Sequence, residues 1–319
     1  MKRHGIFFVN YISDKIRKKK MNQMGREQYL LSLPSYNGKK VLDSKGSNQI
    51  IKDRIKSGKP FMAGRFGATE LNAVMVFDFE IQSKYEKTLS QLMEWSGFFP
   101  KDISSGCQFK NLMINSIGAT DFMGIWNLPF ERYYLKKYAD KHMNITDLSN
   151  LRPWKHPECP WTEALEHKKV LVIHPFVNSI YRQYQRRNEL FPDTKILPEF
   201  DLTVLKAVQT IAGEKDCRFQ TWFEALNWMY EQSMKIDFDI AILGCGAYGF
   251  PLAAMLKREG RQVIHLGGAT QLLFGIRGKR WDENPHEQEI RNFYNDSWIY
   301  PESSERPANA QMVEDGCYW

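Results

Sequence analysis

The sequence predicts an α/β protein: a Rossmann-like, doubly wound, mostly parallel sheet with helices on both faces. Three observations carry this. From residue 47 onward, strand-like and helix-like segments alternate. Two late segments, DIAILG (239–244) and RQVIHLG (261–267), are continuous apolar runs of the kind found in parallel strands buried on both faces. Finally, ILGCGAYGFPLAAML (242–256) runs from an apolar strand through glycines into a helix, the turn on which doubly wound folds are built.

Each element follows in order. SNQIIKDRIKSG (47–58) reads as a helix with a Ser or Asn cap and a closing Gly58. PFMAGRFG (60–67) is a strand, and TELNAVMVF (69–77) is the helix after it, capped by Thr69. Helices cover much of 84–96 and 107–117. DFMGIWN (121–127) is a strand before the aromatic helix PFERYYLKKYA (129–139). KKVLVIHPF (168–176) is a buried strand, followed by the helix NSIYRQYQRRNELF (178–191). A strand is expected near Lys195 to Leu197, before DLTVLKAVQTIAG (201–213). WFEALNWMYEQSMK (222–235) is a helix with Phe223, Leu226, Trp228, Met229 and Tyr230 on its apolar face. The organisation is therefore a basic N-terminal arm (1–46), one composite domain (47–300) and a C-terminal tail (301–319) returning over it. Proline-rich RPWKHPECPW (152–161) marks a possible split, but one domain accounts better for the alternation.

With 319 residues, 43% of them apolar and 25% charged, the chain has ordinary globular composition and room for one large α/β domain. No apolar run reaches the length of a membrane span and no signal peptide is visible, which points to the cytoplasm. Five scattered cysteines without a C-x-x-C pair fit free thiols in a reducing compartment. The net charge of +7 is concentrated at one end. Residues 1–20 hold seven basic groups against the single acid Asp14, which leaves about +1 for residues 21–319. A nucleic-acid-binding body is thereby excluded. Within the arm, Phe8, Ile12 and Ile16 recur at i, i+4 steps beside Ile6, Val9 and the KIRKKK run. Two readings stand. The arm is an amphipathic helix lying on the anionic inner face of the cell membrane, or a helix packing on its own domain or a partner subunit.

In open α/β sheets ligands bind beyond the carboxyl ends of the strands. Those ends carry Arg65-Phe66-Gly67-Ala68-Thr69-Glu70, His174-Pro175, Gly244 to Gly249, and Gly267-Gly268-Ala269-Thr270. Gly244-x-Gly246-x-x-Gly249 matches the dinucleotide fingerprint. An NAD site, however, wants an acid at the end of the next strand. That strand, VIHL, ends in Gly267-Gly268, and Glu259 falls too early, so NAD is not expected. Two adjacent glycine turns instead suit a long anionic ligand such as the diphosphate of a nucleotide sugar, although a tight turn without a ligand explains the same glycines. The candidate binding residues are Arg65, Gly67, His174, Gly244, Gly246, Tyr248, Gly249, Gly267 and Gly268. Thr270, Gln271, Lys279 and Arg280 are weaker candidates. Arg65 can clamp a phosphate, or simply pair with Glu70. Glu70, the catalytic candidate, can bind a divalent cation, deprotonate an acceptor hydroxyl, or only complement a helix N-terminus. His174 can equally be a hydrogen-bonded structural histidine. Tyr181, Arg182, Tyr184, Arg186 and Arg187 form an aromatic and basic surface, with Glu199 and Asp201 as spare carboxylates.

RFGATE (65–70), VIHPF with its Tyr/Arg-rich helix, GCGAYGFPLAAMLK and HLGGATQLLFGIRGKRW together resemble bacterial glycosyltransferases of the GT-D fold class. These are Rossmann-like enzymes of surface-polysaccharide and glycoprotein biosynthesis. The resemblance spans roughly residues 58–285, and the closing CYW is similar to relatives encoded with capsule or lipopolysaccharide genes. It implies transfer of a sugar from a nucleotide diphosphate-sugar donor to a glycan or lipid-linked glycan acceptor. The family's first motif reads Arg-Phe-Gly-Asp-Gly-Glu, and its Asp-x-Glu is associated with Mn²⁺ or Mg²⁺. Here Ala68 stands where that aspartate would be, so Glu70 is left as the single carboxylate for such a metal. Two other functions remain in view. One is a non-catalytic nucleotide-sugar-binding subunit of an assembly complex, and the other is a methyltransferase or dehydrogenase using the glycine loop conventionally.

Overall fold

The computed structural model describes residues 2–214, 216–312 and 316–319, with the side chains of 2–4 left aside. Met1 of the arm and residues 313–315 of the tail thus lie outside the described residues. The chain opens with α1 (Lys2–Met24) and α2 (Arg26–Ser32), then the short strand β1 (Val41–Leu42) and α3 (Ser44–Lys56). Next come β2 (Phe61–Gly64), α4 (Ala68–Asp78), α5 (Tyr85–Ser96), α6 (Ile103–Ile117), β3 (Phe122–Ile125), α7 (Glu131–Tyr138) and β4 (Asn144–Asp147). The second half runs β5 (Lys169–His174), α8 (Val177–Gln185), α9 (Arg187–Leu190), β6 (Asp201–Lys206), α10 (Trp222–Met234), β7 (Ile240–Leu243) and α11 (Gly249–Arg258). It closes with β8 (Gln262–His265), α12 (Ala269–Leu273), α13 (Lys279–Glu283) and α14 (Gln288–Arg291).

The eight strands of the described residues join one parallel sheet in the order β1-β4-β3-β2-β8-β7-β5-β6. The predicted doubly wound α/β fold is therefore present. The strands β2, β3, β7 and β8 are buried throughout, which is why they read as uninterrupted apolar runs. One core, with Val74, Phe109, Trp222 and Leu252, lies under α4, α6, α10 and α11. The other, with Ile51, Ile180 and Leu272, lies under α3, α8 and α12. Each such fully buried aliphatic side chain contributes about 1.5–3 kcal/mol.

This layering positions the site. The helix leaving β5 covers one face of the sheet and the helix leaving β7 covers the other, so a crevice opens between these two neighbouring strand ends. A second crevice opens likewise between β2 and β8, from which α4 and α12 diverge. Ligands in this architecture bind where the winding reverses.

Local details differ from the sequence reading. Gly67, not Thr69, occupies the N-cap of α4. The stretch 195–197 is no strand; β6 is DLTVLK, paired to β5 from Lys169↔Asp201 to His174↔Lys206. The helix expected over 178–191 breaks into α8 and α9 at Arg186. The strands β1 and β4 escaped notice, and β1 lies inside the stretch assigned to the arm. The helix read from 47 begins earlier, where Asp43 accepts a bond from Gly46 N at 2.7 Å.

Candidate functional site

A pocket of about 690 Å³, open mouth included, sits over the β5/β7 crevice. His174, Pro175 and Phe176 follow β5, Ala207 to Ile211 follow β6, and Gly244 to Tyr248 follow β7. Gly268 and Gln271 come from the β8 side, Trp95 and Ser96 from the end of α5, and Tyr318 and Trp319 from the tail. Its walls combine aromatic rings with glycines and small or aliphatic side chains. Among the described residues no Asp or Glu side chain lines it.

Strand register explains which groups meet. Ile173 pairs with Leu243 and Leu243 with His265, so His174, Gly244 and Leu266 emerge side by side. A Cβ on Gly244 would lie 2.4 Å from the His174 ring and 2.7 Å from Thr270 Cβ. A Cβ on Gly249 would lie 2.5 Å from His265. These two glycines let strands and helix close up. Gly246 has another reason: its φ is +57° and nothing crowds it. Gly267, with φ +63°, turns the chain beside the Arg65 guanidinium, whose Cζ would be 3.5 Å from an added Cβ.

The His174 Nδ1 accepts from Phe176 N at 3.0 Å, which leaves Nε2 as the ring's donor. Burial pushes its pKa down to about 3, so the ring is neutral. Tyr248 is almost wholly buried, stacked on Trp222 at 4.5 Å and bonded to Thr210 Oγ1 at 3.1 Å. Burial raises its hydroxyl above the usual tyrosine range. Cys245, pushed up to about 12 by burial, stays a thiol.

Arg65 occupies the neighbouring β2/β8 crevice. Its guanidinium lies 4.5 Å over the Trp126 ring, and its enclosed Nε has no partner. It forms no ion pair with Glu70 or with any other described carboxylate. Burial lowers its pKa, with nearby Arg280 and Arg152 pushing the same way against Tyr318 and Glu70. Glu70 itself is buried, folds back over Gly67 and accepts from Ser96 Oγ at 2.8 Å. A Cβ on Gly67 would sit 1.7 Å from the Glu70 carboxylate, so a side chain at that cap would displace the Glu70 head group. Glu70 thus reaches the pocket only through Ser96.

Among the described residues no three His, Cys, Asp or Glu side chains gather as metal ligands. With Ala68 contributing no donor, Glu70 and Ser96 do not make a cation site by themselves. The weaker candidates are committed elsewhere. Thr270 Oγ1 bonds Leu243 O at 3.2 Å, and Gln271 Nε2 holds Arg277 O at 2.9 Å and Tyr318 O at 3.2 Å. Arg186 pairs with Glu189 and Arg187 with Glu199. Tyr184 is buried on Phe200, and Asp201 starts β6, at the end of that strand away from the site. Sequence reasoning did not single out Trp95, Ser96, Phe176, Thr210, Trp126 or the roles of Tyr318 and Trp319. Trp126 and Phe176 follow strands directly and were within its reach. The others arrive from distant elements.

No family model matches the chain, and neither does any curated protein. Among solved structures it is similar to two of one domain. One is described as "The highly conserved domain of unknown function 1792 has a distinct glycosyltransferase fold", the other as its selenomethionine-substituted structure. Each aligns with a TM-score of 0.44 and 12% identity, over 85% of this chain and 94% of its own. A likeness of that depth carries no inference about activity.

Proposed function

We propose that this chain is a nucleotide-sugar-dependent glycosyltransferase that serves bacterial surface-polysaccharide synthesis from the cytoplasmic side. The observation that carries the reading is Arg65. A partly buried guanidinium whose Nε is enclosed and unpaired, with no carboxylate partner among the described residues, is ready to receive an anion. A diphosphate spanning the turns at Gly246 and Gly267-Gly268 would end at Arg65. The positive end of the α11 dipole, beside the Gly246 turn, would add to this. The aromatic walls from Phe176, Trp95 and Trp319 suit a nucleoside. The choice of sugar transfer over other nucleotide chemistry comes from the resemblance of the strand-end motifs.

In the reaction the bond from the anomeric carbon to the diphosphate oxygen breaks, and the acceptor hydroxyl oxygen bonds to that carbon. The diphosphate leaves as an anion that Arg65 and the helix end stabilise, and the acceptor proton must pass to a base. Glu70, behind Ser96, is the candidate for that proton. A second reading, a donor-binding subunit without turnover, is favoured by the lack of an Asp or Glu side chain on the described pocket wall.

The test is calorimetric binding of UDP, GDP, CDP and TDP, with NAD and S-adenosylmethionine as controls, with and without Mn²⁺. One nucleoside diphosphate is expected to bind, and Arg65→Gln to weaken it by about tenfold or more. Binding of NAD or S-adenosylmethionine instead, or unchanged affinity in Arg65→Gln, would overturn the site. Glu70→Gln is expected to lower turnover with donor affinity kept. Full turnover in that variant removes Glu70 from the chemistry, and tight donor binding without transfer or donor hydrolysis in the native chain selects the second reading.

A further inference from the structure

The arm is a single helix with two different faces. Phe7, Asn10, Asp14, Arg17 and Met21 recur every three or four residues, and all are partly covered. Phe7 stacks on Phe130 at 5.1 Å and meets Phe79 edge-on at 5.3 Å. Asp14 accepts from Phe130 N at 2.8 Å and pairs with Arg17, while Asn127 Nδ2 reaches Met21 Sδ at 3.6 Å. This face clamps α1 to the loop after β3.

Half a turn round the helix, Phe8, Val9, Ile12 and Ile16 point outward, 62%, 67%, 43% and 56% exposed. Large apolar side chains this open, lined up at i, i+4 steps, are unusual on a free surface. Beyond Ile16 the same side ends in exposed Lys19 and Lys20, with exposed Lys15 alongside. The helix's single acid, Asp14, is on the docked face. The outward face is therefore apolar at its centre, cationic at its end and without a negative charge. No described helix is long and apolar enough to cross a membrane. An apolar stripe with flanking lysines fits instead the interfacial plane of an anionic bilayer, where the stripe enters the acyl boundary and the lysines meet the headgroups.

We infer that the outward face of α1 is a peripheral docking surface for anionic lipid. A second copy of the chain fits less well, because like-charged lysine rows would face each other across a parallel pairing. The inference does not rest on the nucleotide reading. Where both hold, they share a geometry. The loop that receives α1 includes Trp126, over which Arg65 lies, so α1 docks beside the β2/β8 crevice at the carboxyl ends of the strands. A lipid-linked acceptor would then arrive on that side.

The test is flotation of the full chain with phosphatidylglycerol-rich vesicles and with phosphatidylcholine vesicles, at low and high salt. Binding to the anionic vesicles alone is expected, weakened by salt. The paired variants Ile12→Asp/Ile16→Asp and Lys19→Glu/Lys20→Glu are each expected to bind about tenfold more weakly or worse, with unchanged thermal unfolding because the side chains are exposed. Absence of binding, equal binding to both vesicles, or equal binding by the variants would overturn the inference. So would a dimer, seen by light scattering, that Ile12→Asp/Ile16→Asp dissolves, because the face would then belong to a second copy.

Discussion

At the scale of single residues, one glycine pattern serves two purposes. Gly244 and Gly249 lack a side chain because histidines from neighbouring strands occupy the space, His174 for one and His265 for the other. Gly246 lacks one because its backbone is left-handed on the pocket wall. The consequences for stability differ. Gly249→Ala drives a methyl into an imidazole enclosed on all sides and is expected to cost about 1–3 kcal/mol. Gly246→Ala meets open space and should cost only the left-handed penalty, about 1–2 kcal/mol, while its methyl enters the pocket. Urea unfolding of the two variants, with nucleotide affinity measured on each, separates the roles. Gly249→Ala should be the less stable and Gly246→Ala the weaker binder, and the reverse order would mean the assignments are exchanged. The spacing of these glycines was plain in the sequence. Their division of labour was not, because the histidines that decide it come from other strands.

At the scale of elements, legibility followed burial. The strands β2, β3, β5, β7 and β8 are central and covered on both faces, so their composition alone marked them. The edge strand β6 is half-exposed and carries Asp201, Thr203 and Lys206, while KIL (195–197) looked more strand-like and is a loop whose Ile196 and Leu197 are buried. The two-residue β1 and the polar β4, NITD, gave no periodicity to read. The tail's part in the pocket was equally hidden, because its anchor is tertiary. Glu305 accepts from Asn178 N at 2.7 Å and pairs with the Ser179 hydroxyl, capping α8 from more than a hundred residues away. Glu305→Ala is expected to loosen the first turn of α8 and release the tail at a cost of about 1 kcal/mol. Hydrogen exchange should then quicken at 178–180 and at 316–319 while the central strands stay protected. Unchanged exchange in the tail would show that Gln271 and Arg280, which bond Tyr318, hold it unaided.

At the scale of the whole molecule, buried titratable groups set how stability varies with pH. Burial holds His174 and His265 down at about 3, against 6.5 for an ordinary histidine. The two ring nitrogens of His265 find no hydrogen-bond partner, although the Arg65 carbonyl lies near. As pH falls below 6.5 the unfolded chain takes up these two protons and the native chain does not, so both groups favour unfolding. Glu131 acts oppositely. Burial lifts it from 4.5 to about 7, although its carboxylate accepts from Leu128 N at 3.0 Å and Trp126 N at 3.3 Å. Between 7 and 4.5 the native chain holds a proton there that the unfolded chain lacks, so falling pH restores stability through this group. Between pH 6.5 and 4.5 two protons therefore oppose one, and stability should fall by on the order of 1 kcal/mol per pH unit. Glu131→Gln removes the opposing group, because glutamine ionises in neither state, and the fall should become about twice as steep. Urea unfolding at both ends of that window measures the two slopes. A flat native profile would mean that the histidines are not held neutral, and a variant no steeper than the native chain would mean that Glu131 is charged beneath the loop that carries Trp126.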